Sequence, residues 1–210
     1  MQRKMLQKHR LEIILSELKP HPSPKAYLEQ YTIPSEVASE ILYLAAYMYR
    51  DIVGKTVFDL GCGTGRLGIG AAILEAKEIV GVDVDALAVE VAKKNAEMAG
   101  VHNVSAWIVG DIDAICGSCD TVIQNPPFGV RQRTADRRFI KKALELSEVA
   151  YSIHKGGATN REFIKRFVER CGGSVAGIFQ MKLVIPPMFA FHRKTKYSVD
   201  VDLYRIVKRK

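Results

Sequence analysis

From residue 56 to residue 173 the chain alternates short strand-like runs with helical stretches, and that rhythm restricts it to an α/β fold. Residues 56–60, 78–83, 104–109, 121–124 and 149–153 are apolar runs that read as buried strands. Residues 67–74, 86–99, 137–147 and 159–171 read as helices, with Gly100 ending the second and Gly172 and Gly173 ending the fourth. Two further runs, 174–185 and 197–207, have no helix between them. The second alternates, with Val199, Val201 and Leu203 on one face, which predicts an antiparallel pair. The expectation is a mostly parallel seven-stranded sheet, helices on both faces, closed by an antiparallel C-terminal strand pair.

Ahead of this, residues 4–18 place Leu11, Ile14, Leu15 and Leu18 at helical spacing, and Pro20, Pro22 and Pro24 end that helix. Residues 1–26 are therefore expected to form a basic helix and a Pro-rich link, and residues 27–210 the main domain. Ser35 is positioned to cap a helix running to Tyr49, and the polar stretch before it suits a lid over a site.

Each glycine-rich or proline-rich break in the α/β rhythm falls after a strand, where ligands bind in such sheets. Asp59, Gly61, Cys62, Gly63, Thr64 and Gly65 follow the first strand and open a helix. Glycines there let backbone approach a ligand closely. Gly63, Gly65 and Gly68 also satisfy a dinucleotide fingerprint, with Asp83 about twenty residues on. A nicotinamide cofactor is one reading. Asp59, suited to a cationic amino-acid headgroup, weighs against it, as does the end of the fourth strand. Asp83 suits ribose hydroxyls in either case, and Asp111 with Ile112 suits an adenine amino group.

The fourth strand ends in Asn125, Pro126, Pro127 and Phe128. The prolines stop the strand and stiffen the backbone beyond it. The Asn125 carboxamide oxygen and the Pro126 carbonyl form an acceptor pair for the two N–H groups of a planar amine. Gripping that nitrogen pulls it toward tetrahedral geometry, and Phe128 offers a ring to stack on a base. Asn is no general base, so alignment would carry the catalysis.

These residues resemble the Rossmann-like class I methyltransferases that use S-adenosyl-L-methionine. Leu28-Glu29-Gln30-Tyr31, Asp59-Leu60-Gly61-Cys62-Gly63, Asn125-Pro126-Pro127-Phe128-Gly129, Tyr151-Ser152-Ile153-His154-Lys155, Phe191-His192-Arg193-Lys194 and Ser198-Val199-Asp200-Val201-Asp202-Leu203 resemble the methyltransferase-like protein 5 family, which forms N6-methyladenosine in small-subunit rRNA. The resemblance implies a cofactor lid at Gln30 and Thr32, methionine and ribose contacts at Gly61, Thr64 and Asp83, and adenine contacts at Asp111 and Ile112. It implies a grip on the target base by Asn125 and Phe128, and, from the eukaryotic members, a small zinc-binding activator protein as partner. The spacing after Tyr31 is one residue shorter than the family pattern. A protein glutamine-N5 methyltransferase, or another nucleic-acid amino-methyltransferase, is the competing reading, because an amide nitrogen is also planar and conjugated.

The net charge of +8 favours a polyanionic partner, nucleic acid before a membrane surface, which weighs against the protein substrate. Arg131, Arg133, Arg137, Arg138, Lys141 and Lys142 follow the base-gripping residues, and Arg193, Lys194 and Lys196 form a second cluster. These cations suit phosphates flanking an extruded adenine. Cys116 and Cys119 lack partner ligands at matching spacing, so no metal site is expected, and His154 is expected to be structural. No apolar run is long enough to span a bilayer and no signal peptide opens the chain, which points to the cytoplasm.

Overall fold

The computed structural model describes residues 6–128, 135–185 and 197–209. Seven strands form one sheet: β1 (Thr56–Leu60), β2 (Glu78–Asp83), β3 (Ser105–Val109), β4 (Cys119–Gln124), β5 (Ser147–Lys155), β6 (Gly173–Ile185) and β7 (Tyr197–Lys208), in the order β3-β2-β1-β4-β5-β7-β6. The first five pair in parallel, and β7 runs antiparallel between β5 and β6. Helices α1 (Lys8–Glu17), α2 (Ser35–Tyr43), α3 (Arg66–Ile73), α4 (Ala86–Met98), α5 (Ala135–Leu146) and α6 (Ala158–Arg170) flank it.

Side-chain alternation along the strands divides the core. Val57, Ile123, Tyr151 and Leu203 point to one face and pack with α1 through α4. Phe58, Leu60, Val122, Ala150 and Tyr204 point to the other and pack with α5 and α6. Helices thus cover both faces, as the strand pattern requires of a parallel sheet.

The N-terminal helix is shorter than its apolar spacing predicts, and its Leu11 and Leu15 are fully buried in the first cluster. Truncating either to Ala removes about 2–5 kcal/mol. Ser35 does not cap α2: the N-cap is Pro34, with no side-chain cap, and its carbonyl accepts from Ala38 N at 2.9 Å. Proline at the cap fixes the entry angle without a side-chain acceptor. The helix pattern toward Tyr49 is broken by a π-helical turn at Leu44–Met48.

Register positions the site. Leu60 pairs with Val82 on one side and with Gln124 on the other. The next residues, Gly61, Asp83 and Asn125, therefore leave the sheet side by side. Strand order reverses at β1, with β2 and then β3 on one side and β4 on the other, which is the switch point where open α/β sheets bind ligands.

Candidate active site

A cleft of about 300 Å³ opens at that switch point, and Gly61, Gly63, Asp59, Asp83, Asp111 and Asn125 all line it. Gly63 has φ +53°, and a Cβ there would meet nothing within 4 Å, so the loop backbone faces open space. Gly65 serves packing instead: at φ +85° its Cβ would lie 2.9 Å from Trp107. Thr64 is buried, its carbonyl held by Asn95 Nδ2 at 3.0 Å.

The carboxylates are fixed by backbone donors. Asp83 Oδ2 accepts from Gly63 N at 2.8 Å and Oδ1 from Asp85 N at 2.9 Å, which ties the end of β2 to the glycine loop. Asp59 is 1% exposed and accepts from Gly68 N at 2.8 Å. Burial pushes its carboxyl up to about 7, against the pull of that N–H, and the nearby Asp83 charge adds to the rise. Asp111 accepts from Asp113 N at 2.9 Å and pairs with Arg138 at 2.6 Å, and Ile112 is buried beside it.

The segment before α2 lies over the cleft. Gln30 and Thr32 line it, as does Tyr31. Gln30 Nε2 donates to Asp85 Oδ2 at 2.9 Å, Lys25 Nζ lies 3.1 Å from that oxygen and His21 Nε2 3.3 Å. Asp85 also caps α4 by accepting from Leu87 N at 3.1 Å. One carboxylate therefore fastens the segment before α2 to the turn after β2.

At the end of β4, Asn125 and Pro127 line the cleft while Pro126 is buried. Asn125 Oδ1 accepts from the Tyr31 hydroxyl at 2.9 Å. The Tyr31 and Phe128 rings lie 5.5 Å apart at 38°. Sequence reasoning placed Asn125 but not Tyr31, His21 or Arg66, which also line the cleft, nor Asp85, which holds Gln30. The proximity of Tyr31 to Gln30 was the available signal for the first.

Among the expected phosphate-binding cations, Arg138 is committed to Asp111 and to Asp113 at 2.7 Å. Lys142 is buried and pairs with Glu145 at 2.9 Å. Arg137 lies 4.7 Å over the Phe163 ring. Arg131, Arg133, Arg193, Lys194 and Lys196 lie outside the described residues. His154 is buried against Ser152 Oγ at 2.7 Å, and burial pulls it down to about 3. Cys119 is buried in β4 and Cys116 exposed before it.

A profile of the ribosomal protein L11 methyltransferase (PrmA) family matches residues 41–125, the stretch from α2 to the end of β4. The chain is similar to the rRNA N(6)-adenosine-methyltransferase METTL5 of Danio rerio, at 33% identity over 93% of this chain and 96% of the relative. The chain belongs to the METTL5 family of class I methyltransferases. As a member, it is an S-adenosylmethionine-dependent methyltransferase. Over 97% of its length it is 40% identical to an uncharacterized Methanocaldococcus jannaschii protein, MJ0284, covering 95% of that protein. The crystal structure of a putative RNA methyltransferase, PH1948 from Pyrococcus horikoshii, superposes with a TM-score of 0.91 at 43% identity, covering 99% of this chain and 100% of that one.

The cleft fits such a cofactor. Open backbone at Gly63 leaves room for a ligand, and the carboxylates Asp59, Asp83 and Asp111 that line the cleft would suit a molecule carrying an ammonium group, ribose hydroxyls and an adenine amine.

Proposed function

We propose that this methyltransferase modifies N6 of an adenosine in ribosomal RNA, with small-subunit rRNA as the substrate. The observation that carries the reading is the Asn125 carboxamide oxygen, held at the cleft wall by Tyr31 beside the rigid Pro126 and Pro127. It is the acceptor a planar amine needs, and the METTL5 relatives of Danio rerio and Drosophila melanogaster are named as rRNA methyltransferases.

In this reading Asn125 Oδ1 and the Pro126 carbonyl take the two N–H groups of the adenine amine and turn its lone pair toward the cleft. Phe128, backed by Tyr31, offers the ring face against which the base rests. Gly61, Gly63, Thr64 and Asp83 hold the methionine and ribose parts of the cofactor, Asp59 faces its cationic end, and Asp111 and Ile112 flank its adenine, while Gly65 packs beneath the loop against Trp107. Gln30 and Thr32 close over it. When bound, S-adenosylmethionine supplies a methyl group activated on sulfonium sulfur. Rate comes from alignment, because the Asn125 carboxamide cannot remove a proton beforehand. An adenine within a helix is out of reach, so the base is extruded or single-stranded, with Arg131, Arg133, Arg137, Arg193, Lys194 and Lys196 meeting its flanking phosphates.

Strand β3 lies at the sheet edge among the described residues and exposes Ile108 (40%) and Val109 (52%), which suits docking of a small zinc-binding activator along that strand. The cytoplasm is the compartment proposed for the reaction. Among the described residues no helix is long and apolar enough to cross a membrane.

The test is transfer of labelled methyl to undermodified ribosomal RNA, followed by mass spectrometry of the nucleosides. N6-methyladenosine from the wild-type chain, and its loss in Asn125→Ala with cofactor binding retained, is the expected result. Label in glutamine of a protein hydrolysate, with none in nucleosides, would overturn it.

A further inference from the structure

Arg66 opens α3 directly behind the glycine loop and lines the cleft. Its Nη1 donates to the Ile33 carbonyl at 2.6 Å, and Nη2 reaches the Leu18 carbonyl only at 3.4 Å. Its Nε is buried and has no hydrogen-bond partner among the described residues. A guanidinium has five N–H donors, so most of its capacity is unused. Among the described residues no carboxylate pairs with it, and burial pulls its pKa down with no neighbouring charge to offset the effect.

Its position compounds the problem. The first turn of a helix is the positive end of the backbone dipole, where a cation is least favourable. Two positive features thus meet at one wall of the cleft, and an anion resolves both. The other walls repel an anion: Asp59, Asp83 and Asp111 line them. Arg138, the other arginine lining the cleft, is paired with Asp111 and Asp113.

The cofactor read into this cleft carries an anion. Its amino-acid end has a carboxylate as well as an ammonium group. We propose that Arg66 binds that carboxylate, while Asp59 on the neighbouring strand end faces the ammonium. This assignment rests on the cleft being the cofactor site. It also links occupancy to the lid, because Arg66 already holds the carbonyl of Ile33 just ahead of α2 and touches that of Leu18 after α1.

Two probes separate this role from a strut between segments. S-adenosylhomocysteine has the amino-acid end, whereas 5′-methylthioadenosine lacks it. Calorimetric titration should show Arg66→Met weakening S-adenosylhomocysteine about 10- to 100-fold, the range of a lost charge-assisted hydrogen bond, and leaving 5′-methylthioadenosine unchanged. Arg66→Lys, which keeps the charge and guards against a folding failure, should lie between. Equal losses for both probes, or no loss for S-adenosylhomocysteine, would overturn the proposal. Asp83→Asn serves as the control on the cleft. Weakening of both probes upholds the site, so that the Arg66 variants judge Arg66 alone. No effect on either probe rejects the cleft reading, and this assignment with it.

Discussion

The Tyr31 hydroxyl donates to Asn125 Oδ1 at 2.9 Å, joining the lid to the end of β4 across 94 positions of sequence. A carbonyl oxygen has two lone pairs, so the bond leaves one free for a substrate amine. Burial raises the Tyr31 phenol, against the pull of Asn125, so it remains a donor throughout the physiological range.

Tyr31→Phe tests this contact, because it deletes the hydroxyl and keeps the ring beside Phe128. Single-turnover methyl transfer should slow by up to about tenfold, the value of one ordinary hydrogen bond, with cofactor affinity unchanged. Tyr31→Ala removes the ring support too and should be slower still. An unaltered rate in Tyr31→Phe would show that the bond is incidental.

Asp59 predicts a pH dependence of binding. Its folded pKa of about 7 exceeds the usual carboxylate value, so the folded chain binds more protons than the unfolded one between those limits. Its contribution to the stability of the ligand-free protein therefore falls as pH rises from the usual value to about 7. A cationic ligand favours the ionised form, so cofactor affinity should rise through pH 7 and then level off. Titrations in buffers of different ionisation enthalpy should detect proton release below that pH. Asp59→Asn should flatten the profile.

Asp85 has the opposite sign. Burial would raise it, but Gln30, Lys25 and the Leu87 N–H together hold it down to about 2. Its stabilising contribution is present above the usual carboxylate pKa and disappears as pH falls toward about 2. Asp85→Ala removes the α4 cap, costing about 1 kcal/mol, and unfastens the lid. Faster tryptic cleavage at Lys25 than in the wild type, followed by mass spectrometry, is the expected readout.

Gly81 pairs with Trp107 across β2 and β3, and a Cβ at position 81 would lie 2.3 Å from the ring. The same ring lies against Gly65 and Gly68, so it supports the loop from beneath. Gly81→Ala should destabilise the protein by about 1–3 kcal/mol through overpacking. The chain has one tryptophan, so denaturant unfolding followed by its fluorescence reports the change directly.

Strands β1 and β2 lie where the apolar runs place them, and the sequence places Gly63, Asp83 and Asn125 at the strand ends where the cleft lies. Each lies at the end of a strand, and strand ends in a parallel sheet converge without any knowledge of side-chain contacts. Arg138 was less readable. Its place after Asn125 to Phe128 suggests a phosphate contact, whereas its distance to Asp111 depends on how α5 packs against the turn after β3. The expected Ser35 cap failed for a local reason: Pro34 begins the helix one residue earlier.

The sequence by itself determined the strand–helix order, the glycine loop and the acceptor at the end of β4, because these follow from periodicity and from backbone chemistry within a few residues. Only the tertiary structure decided that Asp85 ties the segment before α2 to the turn after β2, that Tyr31 reaches Asn125, and that Arg66 meets the cleft with no carboxylate paired to it among the described residues. Those are side-chain encounters between segments far apart in the chain, set by sheet register and helix packing that no local pattern encodes.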